Sequence, residues 1–188
     1  MEIDCVDKKE LLIPTIYTDE NLVEIKNLKL TLDNTKNIYS INYNTNQIEK
    51  FNSRFKKFFS FMPPTISNFE IKNNALVFWI RTNSYFVLGQ FERKNFEKNF
   101  QNVLSITDQT GGWVCFNLNG KDTKLLFEKL LTIDLLSFVK KQVIRTSIYK
   151  INCFVLCHNQ FENYTIICPT SFSESMKSRL LDLIKLIE

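Results

Sequence analysis

The plainest pattern in the chain is an aromatic stripe. Ile48, Phe51, Phe55, Phe58, Phe59 and Met62 recur at helical spacing, with Glu49, Lys50, Arg54, Lys56 and Lys57 opposite. Asn46 and Glu49 have capping-box spacing at its start, and Pro63-Pro64 stops it. An aromatic stripe of this kind reads as core rather than as a cofactor box. Just before it, residues 38–43 alternate, with Tyr39, Ile41 and Tyr43 on one face of a strand. Residues 76–81 and 85–89 are apolar runs separated by Thr82, Asn83 and Ser84, which predicts a hairpin. Phe96, Phe100, Val103 and Leu104 return to helical spacing, so residues 92–103 read as a helix.

The pattern then begins again. Residues 106–120, ITDQTGGWVCFNLNG, read as a turn, a buried strand and a second turn. Trp113, Val114, Cys115, Phe116 and Leu118 form the strand, and Asp122 is placed to cap the helix that follows. That helix, over 122–131, carries Leu125, Leu126, Leu130 and Leu131. Residues 143–149, 152–157 and 164–168 read as strands. The last helix runs over 171–187, with Ser171 and Glu174 as a capping box and Phe172, Met176, Leu180, Leu183, Ile184 and Ile187 as its apolar face. Strand, helix, strands, helix thus occurs twice, at a period of roughly 75 residues. The expected class is α+β, with two similar halves, each an antiparallel sheet with helices on one face. Residues 1–36 are the least regular and read as an N-terminal arm, with 37–105 as the first half and 106–188 as the second. Halves this small bury little alone, so they should pack as one unit.

Composition narrows the classes. The chain has 188 residues, 44% hydrophobic with 17 Phe, so it can build a real core. A net charge of +4 from 24 basic and 20 acidic residues, interspersed, is not the basic stripe of a nucleic-acid binder. The densest basic stretch, Arg54, Lys56 and Lys57, falls on the polar side of a helix and reads as a solvated face. No window has the apolar length of a membrane span and the N-terminus has no apolar leader, so no membrane partner is expected. Five Cys, an odd count, fit a reducing cytoplasm in which the thiols act as small hydrophobes.

A search for chemistry finds little. The chain has one His, His158, beside Cys157. The run Cys153-x-x-x-Cys157-His158 tempts a zinc assignment, but no second ligand pair has finger spacing. A Cys–His nucleophile fails because neighbours on a strand point to opposite faces. No phosphate-cradling glycine loop and no hydrolase elbow occurs. Asp108, Asp122 and Asp134 stand singly near element ends, where capping accounts for them.

The second half nevertheless has familiar letters in order. Asp108, Gly112-Trp113, Leu118, Gly120, Leu126, Asp134-Leu135, Phe138, Arg145-Thr146, Phe154-Val155-Leu156, Tyr164, Ser171-Phe172-Ser173 and Leu180-Leu181 form the set. It resembles the gamma subunit of heterotetrameric sarcosine oxidase, a family related to the folate-binding aminomethyltransferase (T-protein) fold. The likeness continues upstream through residues 28–32, Met62-Pro63, Asn68 and the run from Trp79 to Leu88. The chain departs from the family at Lys121, Lys141, Thr170 and the segment Thr82-Asn83-Ser84-Tyr85, so specific contacts at those points are not carried over.

The resemblance implies a truncated aminomethyltransferase-like fold. It also implies membership of a complex that oxidises sarcosine to glycine with peroxide release, the methyl carbon leaving as formaldehyde or on tetrahydrofolate. FAD, FMN, NAD and zinc would belong to the larger flavin-binding subunits, with no catalytic, cofactor or metal residue in this chain. Asp108, Trp113, Arg145, Thr146, Ser171 and Phe172, drawn from the matching set, are its candidates for subunit contact. The competing reading is a free-standing folate-binding or aminomethyltransferase-like protein.

Overall fold

The computed structural model describes residues 20–25, 27–33 and 36–187. The strands, in chain order, are β1 (Glu20–Ile25), β2 (Leu28–Asp33), β3 (Asn37–Tyr43), β4 (Phe69–Lys72), β5 (Ala75–Arg81), β6 (Ser84–Gly89), β7 (Leu104–Asp108), β8 (Trp113–Asn119), β9 (Val143–Ile148), β10 (Ile151–Asn159) and β11 (Asn163–Pro169). The helices are α1 (Ile48–Phe59), α2 (Arg93–Phe100), α3 (Thr123–Leu130) and α4 (Ser173–Ile187).

Two antiparallel sheets result. One has the order β4-β5-β6-β3-β7 and the other β1-β2-β8-β11-β10-β9. Three buried clusters fix how they stack. Phe51, Phe55 and Phe59 of α1 and Phe96 and Phe100 of α2 pack on Tyr39, Ile41, Val77 and Val87, the outer face of the first sheet. Leu126, Phe127 and Leu130 of α3 and Met176, Leu180 and Ile184 of α4 pack on Leu30, Phe116, Leu118, Val155 and Ile166 of the second. Between the sheets lie Ile38, Phe78, Phe86 and Leu88 from one and Cys115, Phe154, Leu156 and Ile167 from the other. The layers are therefore helix, sheet, sheet, helix, and the expected α+β class with helices on one face of each sheet is what the chain forms.

The duplication holds strand for strand. β3, β6, β5 and β4 are laid side by side as β8, β11, β10 and β9 are. The fifth strand of each set is exchanged. β2 precedes β3 in the chain but pairs with β8, Leu30 opposite Leu118. β7 precedes β8 but pairs with β3, Ile106 opposite Ile41. Each half thus receives an edge strand from the connection that leads into the other.

Several local expectations shift. Residues 20–33 of the expected arm form the β1–β2 hairpin, because Leu28, Leu30 and Leu32 alternate and are buried against the second sheet's helices; residues 1–19 lie outside the described residues. The α1 helix ends at Phe59, with Ser60 at φ 65 closing it in the left-handed region, so Met62 leaves the stripe and is 49% exposed. The cap moves upstream from Asn46. Asn44 accepts from Asn46 N–H at the head of a short 3-10 turn that leads into the helix. Asp122 makes no capping bond. Phe172 lies in a 3-10 turn ahead of α4, 48% exposed, instead of on the helix's buried face. Arg54 is more than a solvated cation, since its Nη1 donates to Asn99 O at 3.3 Å and Gln101 O at 2.8 Å and so ties α1 to the end of α2.

Gly120 closes β8 under a tight constraint. Its φ is +124, and a Cβ there would stand 2.0 Å from Asn27 O in the β1–β2 turn. Gly120→Ala should lower stability by about 2 kcal/mol or more, read as a shift of the urea midpoint. Gly112→Ala, where an added Cβ comes no closer than 3.1 Å to Gln109 O, should cost clearly less. Equal effects at the two sites would contradict this account.

Candidate functional site

The space between the sheets changes character along its length. Side chains on a strand alternate between faces, so Trp113, Cys115, Asn117 and Asn119 of β8 all point toward the opposite sheet. At the Trp113 end the seam is aromatic. The Trp113 ring lies 5.3 Å from Phe86 and 5.7 Å from Phe154, and Phe78 lies 5.2 Å from Phe154. At the Asn119 end it becomes polar and opens into a cavity of about 520 Å³.

The cavity floor is the second sheet. Register places Thr31, Asn117 and Thr165 in one row across β2, β8 and β11. Asn119 and Asn163 continue it, His158 enters from β10, and Lys36 stands at the β2–β3 connection. The roof is the first sheet, through Asn74, Ala75, Leu76 and Leu88. Among the described residues no carboxylate lines the space, although Asp33 holds Lys36 nearby at 2.6 Å.

A hydrogen-bonded row runs along the floor. Thr165 Oγ1 donates to Asn117 Oδ1 at 2.7 Å and accepts from His158 Nε2–H at 2.8 Å. Thr165 has one proton and spends it on Asn117, so His158 must supply the other. This fixes the neutral tautomer with Nδ1 bare as an acceptor. Burial pushes the imidazole down to about 4, the Lys36 ammonium adding to the effect, and the Phe69 ring packs at 4.9 Å against it. His158 is thus a neutral hydrogen-bonding group at ordinary pH.

The thiols of the described residues are chemically quiet. Burial pushes Cys115, Cys153 and Cys168 up to about 12. Cys157 belongs to the core beneath α3 and α4 while its neighbour His158 faces the cavity, the opposite-face arrangement that strand geometry requires. Among the described residues no three His, Cys, Asp or Glu side chains come together as a metal site, and no helix is long and apolar enough to cross a membrane.

The sequence-derived contact candidates gather mostly at the other end of the seam. Trp113 is half-buried, and the Arg145 guanidinium lies 5.9 Å over the Phe154 ring that Trp113 touches. Ser171 and Phe172 follow Thr170, whose N–H donates to Gly112 O at 3.0 Å. Asp108 sits at the end of β7, 3.3 Å from Arg93 Nη1, and accepts from Thr110 N–H. Thr146 turns the other way, its carbonyl beside the Cys153 thiol. The polar row was missed. Its signal was the alternation Trp113, Cys115, Asn117, Asn119, hidden inside a run that reads as apolar.

The His158 site makes a pH prediction. The folded imidazole titrates near 4, whereas an unfolded one does so near 6.5. Below about 6.5 the unfolded chain takes up the extra proton, so stability falls with pH by up to about 1.4 kcal/mol per unit until about 4, and is flat in this group below that. His158→Gln should lose less stability between pH 7 and 4.5 than the parent in urea titrations, since the carboxylates are common to both. Parallel losses would sink the assignment of a neutral buried His158.

No family model matches the sequence, and no curated protein matches it. Solved structures do. A chain of the heterotetrameric sarcosine oxidase from Corynebacterium sp. U-96, in complex with pyrrole 2-carboxylate, superposes with a TM-score of 0.74 at 14% identity, over 88% of this chain and 89% of that one. The glycine cleavage system aminomethyltransferase T from Bartonella henselae superposes with a TM-score of 0.58 at 8% identity, over 79% of this chain but 44% of that one. The chain therefore spans less than half of the aminomethyltransferase and nearly all of the sarcosine oxidase chain. The fold implied by the sequence resemblance is the fold these structures share with it.

Proposed function

We propose that this chain is a small, non-catalytic subunit of a sarcosine oxidase-type complex, serving assembly beside larger flavin-binding subunits. The observation that carries the reading is length. The chain matches one chain of a heterotetrameric enzyme over most of both lengths, 88% and 89%, whereas it matches under half of the aminomethyltransferase. Its interior supports the same reading, because the buried thiols are protonated and the one imidazole is locked in a hydrogen-bonded row. FAD, FMN, NAD and zinc would then reside in the partner subunits, as would the oxidation of sarcosine to glycine. Exposed apolar side chains on loops, among them Ile66 at 71%, Leu136 at 72% and Phe172 at 48%, supply surface for subunit contact.

The polar cavity favours a second reading, a folate-binding protein of the aminomethyltransferase type. Its carboxamides and neutral imidazole offer donors and acceptors of the kind a heterocyclic ligand uses.

Two measurements separate these. With a tag on this chain in its source cells, the first reading expects recovery of a flavin-containing assembly that makes peroxide from sarcosine; a chain that emerges as a lone stable monomer rejects it. The second expects saturable, micromolar binding when tetrahydrofolate is titrated into the isolated chain, reduced at least tenfold by Asn117→Leu. No heat or fluorescence change up to millimolar ligand rejects it.

A further inference from the structure

Among the described residues the internal duplication leaves one strand position without an occupant. In the second sheet the exchanged strand β2 is flanked on its outer side by β1, which adds a sixth strand. In the first sheet the matching strand, β7, is the edge, and among the described residues nothing lies beyond it. We infer that the β7 edge is a strand-addition site, taking an extended segment of a partner subunit whose side chains are apolar at alternate positions. The inference rests on the assembly reading above and names the surface through which it works.

The backbone is poised for this. Gln109 N–H donates to Ile38 O at 2.8 Å, which sets the phase of the β3–β7 ladder. In an antiparallel pair bonded and non-bonded positions alternate, so Ser105 and Thr107 face β3 with their hydrogen-bonding groups. Leu104, Ile106 and Asp108 therefore direct theirs outward.

The other edges are guarded more heavily than this one, whose single charge, Asp108, stands at its end. β1 carries Glu24, ion-paired with Lys29, and is broken by a register shift between Asn21 and Val23. The short β4 carries Glu70 and Lys72, β9 carries Arg145, and the starts of these two strands are bridged through Asn68 and Gln142. β7, with the sequence LSITD, pairs with β3 without a register shift and has neither a lysine nor a proline. A lightly guarded, regular edge invites pairing with another chain.

The side chains say what kind of strand fits. Leu104 and Ile106 are partly buried against the Phe-rich core under α1 and α2, leaving an apolar stripe that stops at the edge. β1 is the template for its continuation, since Leu22, Val23 and Ile25 lie partly buried on the equivalent core of the second half. A second copy of this chain fits less well. Antiparallel pairing of β7 with itself about Ile106 sets Leu104 against Asp108 twice within five residues.

The test is amide hydrogen exchange on the full chain, isolated and in the assembly recovered with a tag from source cells. The expected result is that Leu104, Ile106 and Asp108 exchange freely in the isolated chain and at least a hundredfold more slowly in the assembly, while Ser105 and Thr107 are protected in both. Ile106→Pro removes an outward N–H and leaves the β3 ladder intact. It should lower recovery of the assembly at least tenfold with the isolated chain's unfolding midpoint unchanged, and Ile106→Lys should do the same if the proline variant folds poorly. An assembly in which these amides stay fast overturns this inference and leaves the assembly reading standing. Protection already present in an isolated monomer, or in a dimer of this chain alone, also overturns it. Failure to recover any assembly overturns the assembly reading and this inference with it.

Discussion

The exchange of β2 and β7 is the constraint on which the rest depends. Each passes over the strand that follows it in the chain, β2 joining β8 beyond the whole first sheet and β7 closing the sheet it comes after. Leu28, Leu30 and Leu32 complete the core under α3 and α4, and Leu104 and Ile106 complete the one under α1 and α2. The helices of the first half rest on a sheet built from continuous sequence, 37–108, whereas α3 and α4 rest on a sheet that needs β1 and β2 from the far side of that stretch. Completing the second core requires β2 to cross the seam, so the two α+β units are bound together by the β2–β8 ladder as well as by the aromatic packing of Phe78, Phe86 and Phe154. Gly120 belongs to this interlock, because Asp122 N–H bonds to Asn27 O where the β1–β2 turn meets the exit of β8.

Interlocking also explains why the seam can afford a polar end. Thr165 is 6% exposed, yet its hydroxyl both donates and accepts. A buried hydroxyl costs little when its bonds are complete and a few kcal/mol when they are not. The row from Asn117 to His158 lies on β8, β11 and β10, flanked by β2 and β9, so its geometry is set by ladders and not by the row itself. Apolar packing at the Trp113 end fixes the spacing of the sheets, and the polar end lines what remains open.

Legibility followed from how local each signal was. The stripe of Phe51, Phe55 and Phe59, the hairpin of β5 and β6, and the succession of β8, α3, β9, β10 and β11 are written in short-range periodicity, and the structure has them. Repetition of the pattern carried the two-layered class as well. Pairing partners are not local, so nothing in Leu28, Leu30 and Leu32 says that their strand crosses to β8. Four-residue β4 and five-residue β7 carry too few apolar positions to stand out. Caps failed where a 3-10 turn intervened, as before α1 and α4, since the spacing rule assumes that the α-helix starts at once. The cavity was hidden by the same averaging: Asn117 and Asn119 share β8 with Val114, Phe116 and Leu118, and only the two-residue period separates a core face from a polar one.

The two halves are alike in strands and unlike in what they leave exposed, and this is where use diverges from architecture. A duplicated fold begins with equal edges and equal seams. Here one copy has its outer position filled by β1 and places its polar inner face, with Thr31, Asn117, Thr165 and His158, over the cavity. The other turns Leu76 and Leu88 to the same space and, among the described residues, ends in the edge of β7. Symmetric packing accounts for the stability of both copies equally, so it cannot account for their differences. Those differences are confined to a cavity floor and a strand edge, both of which present hydrogen-bonding groups outward. The residues that packing leaves unexplained in this chain are therefore backbone and side-chain donors and acceptors, the equipment of recognition.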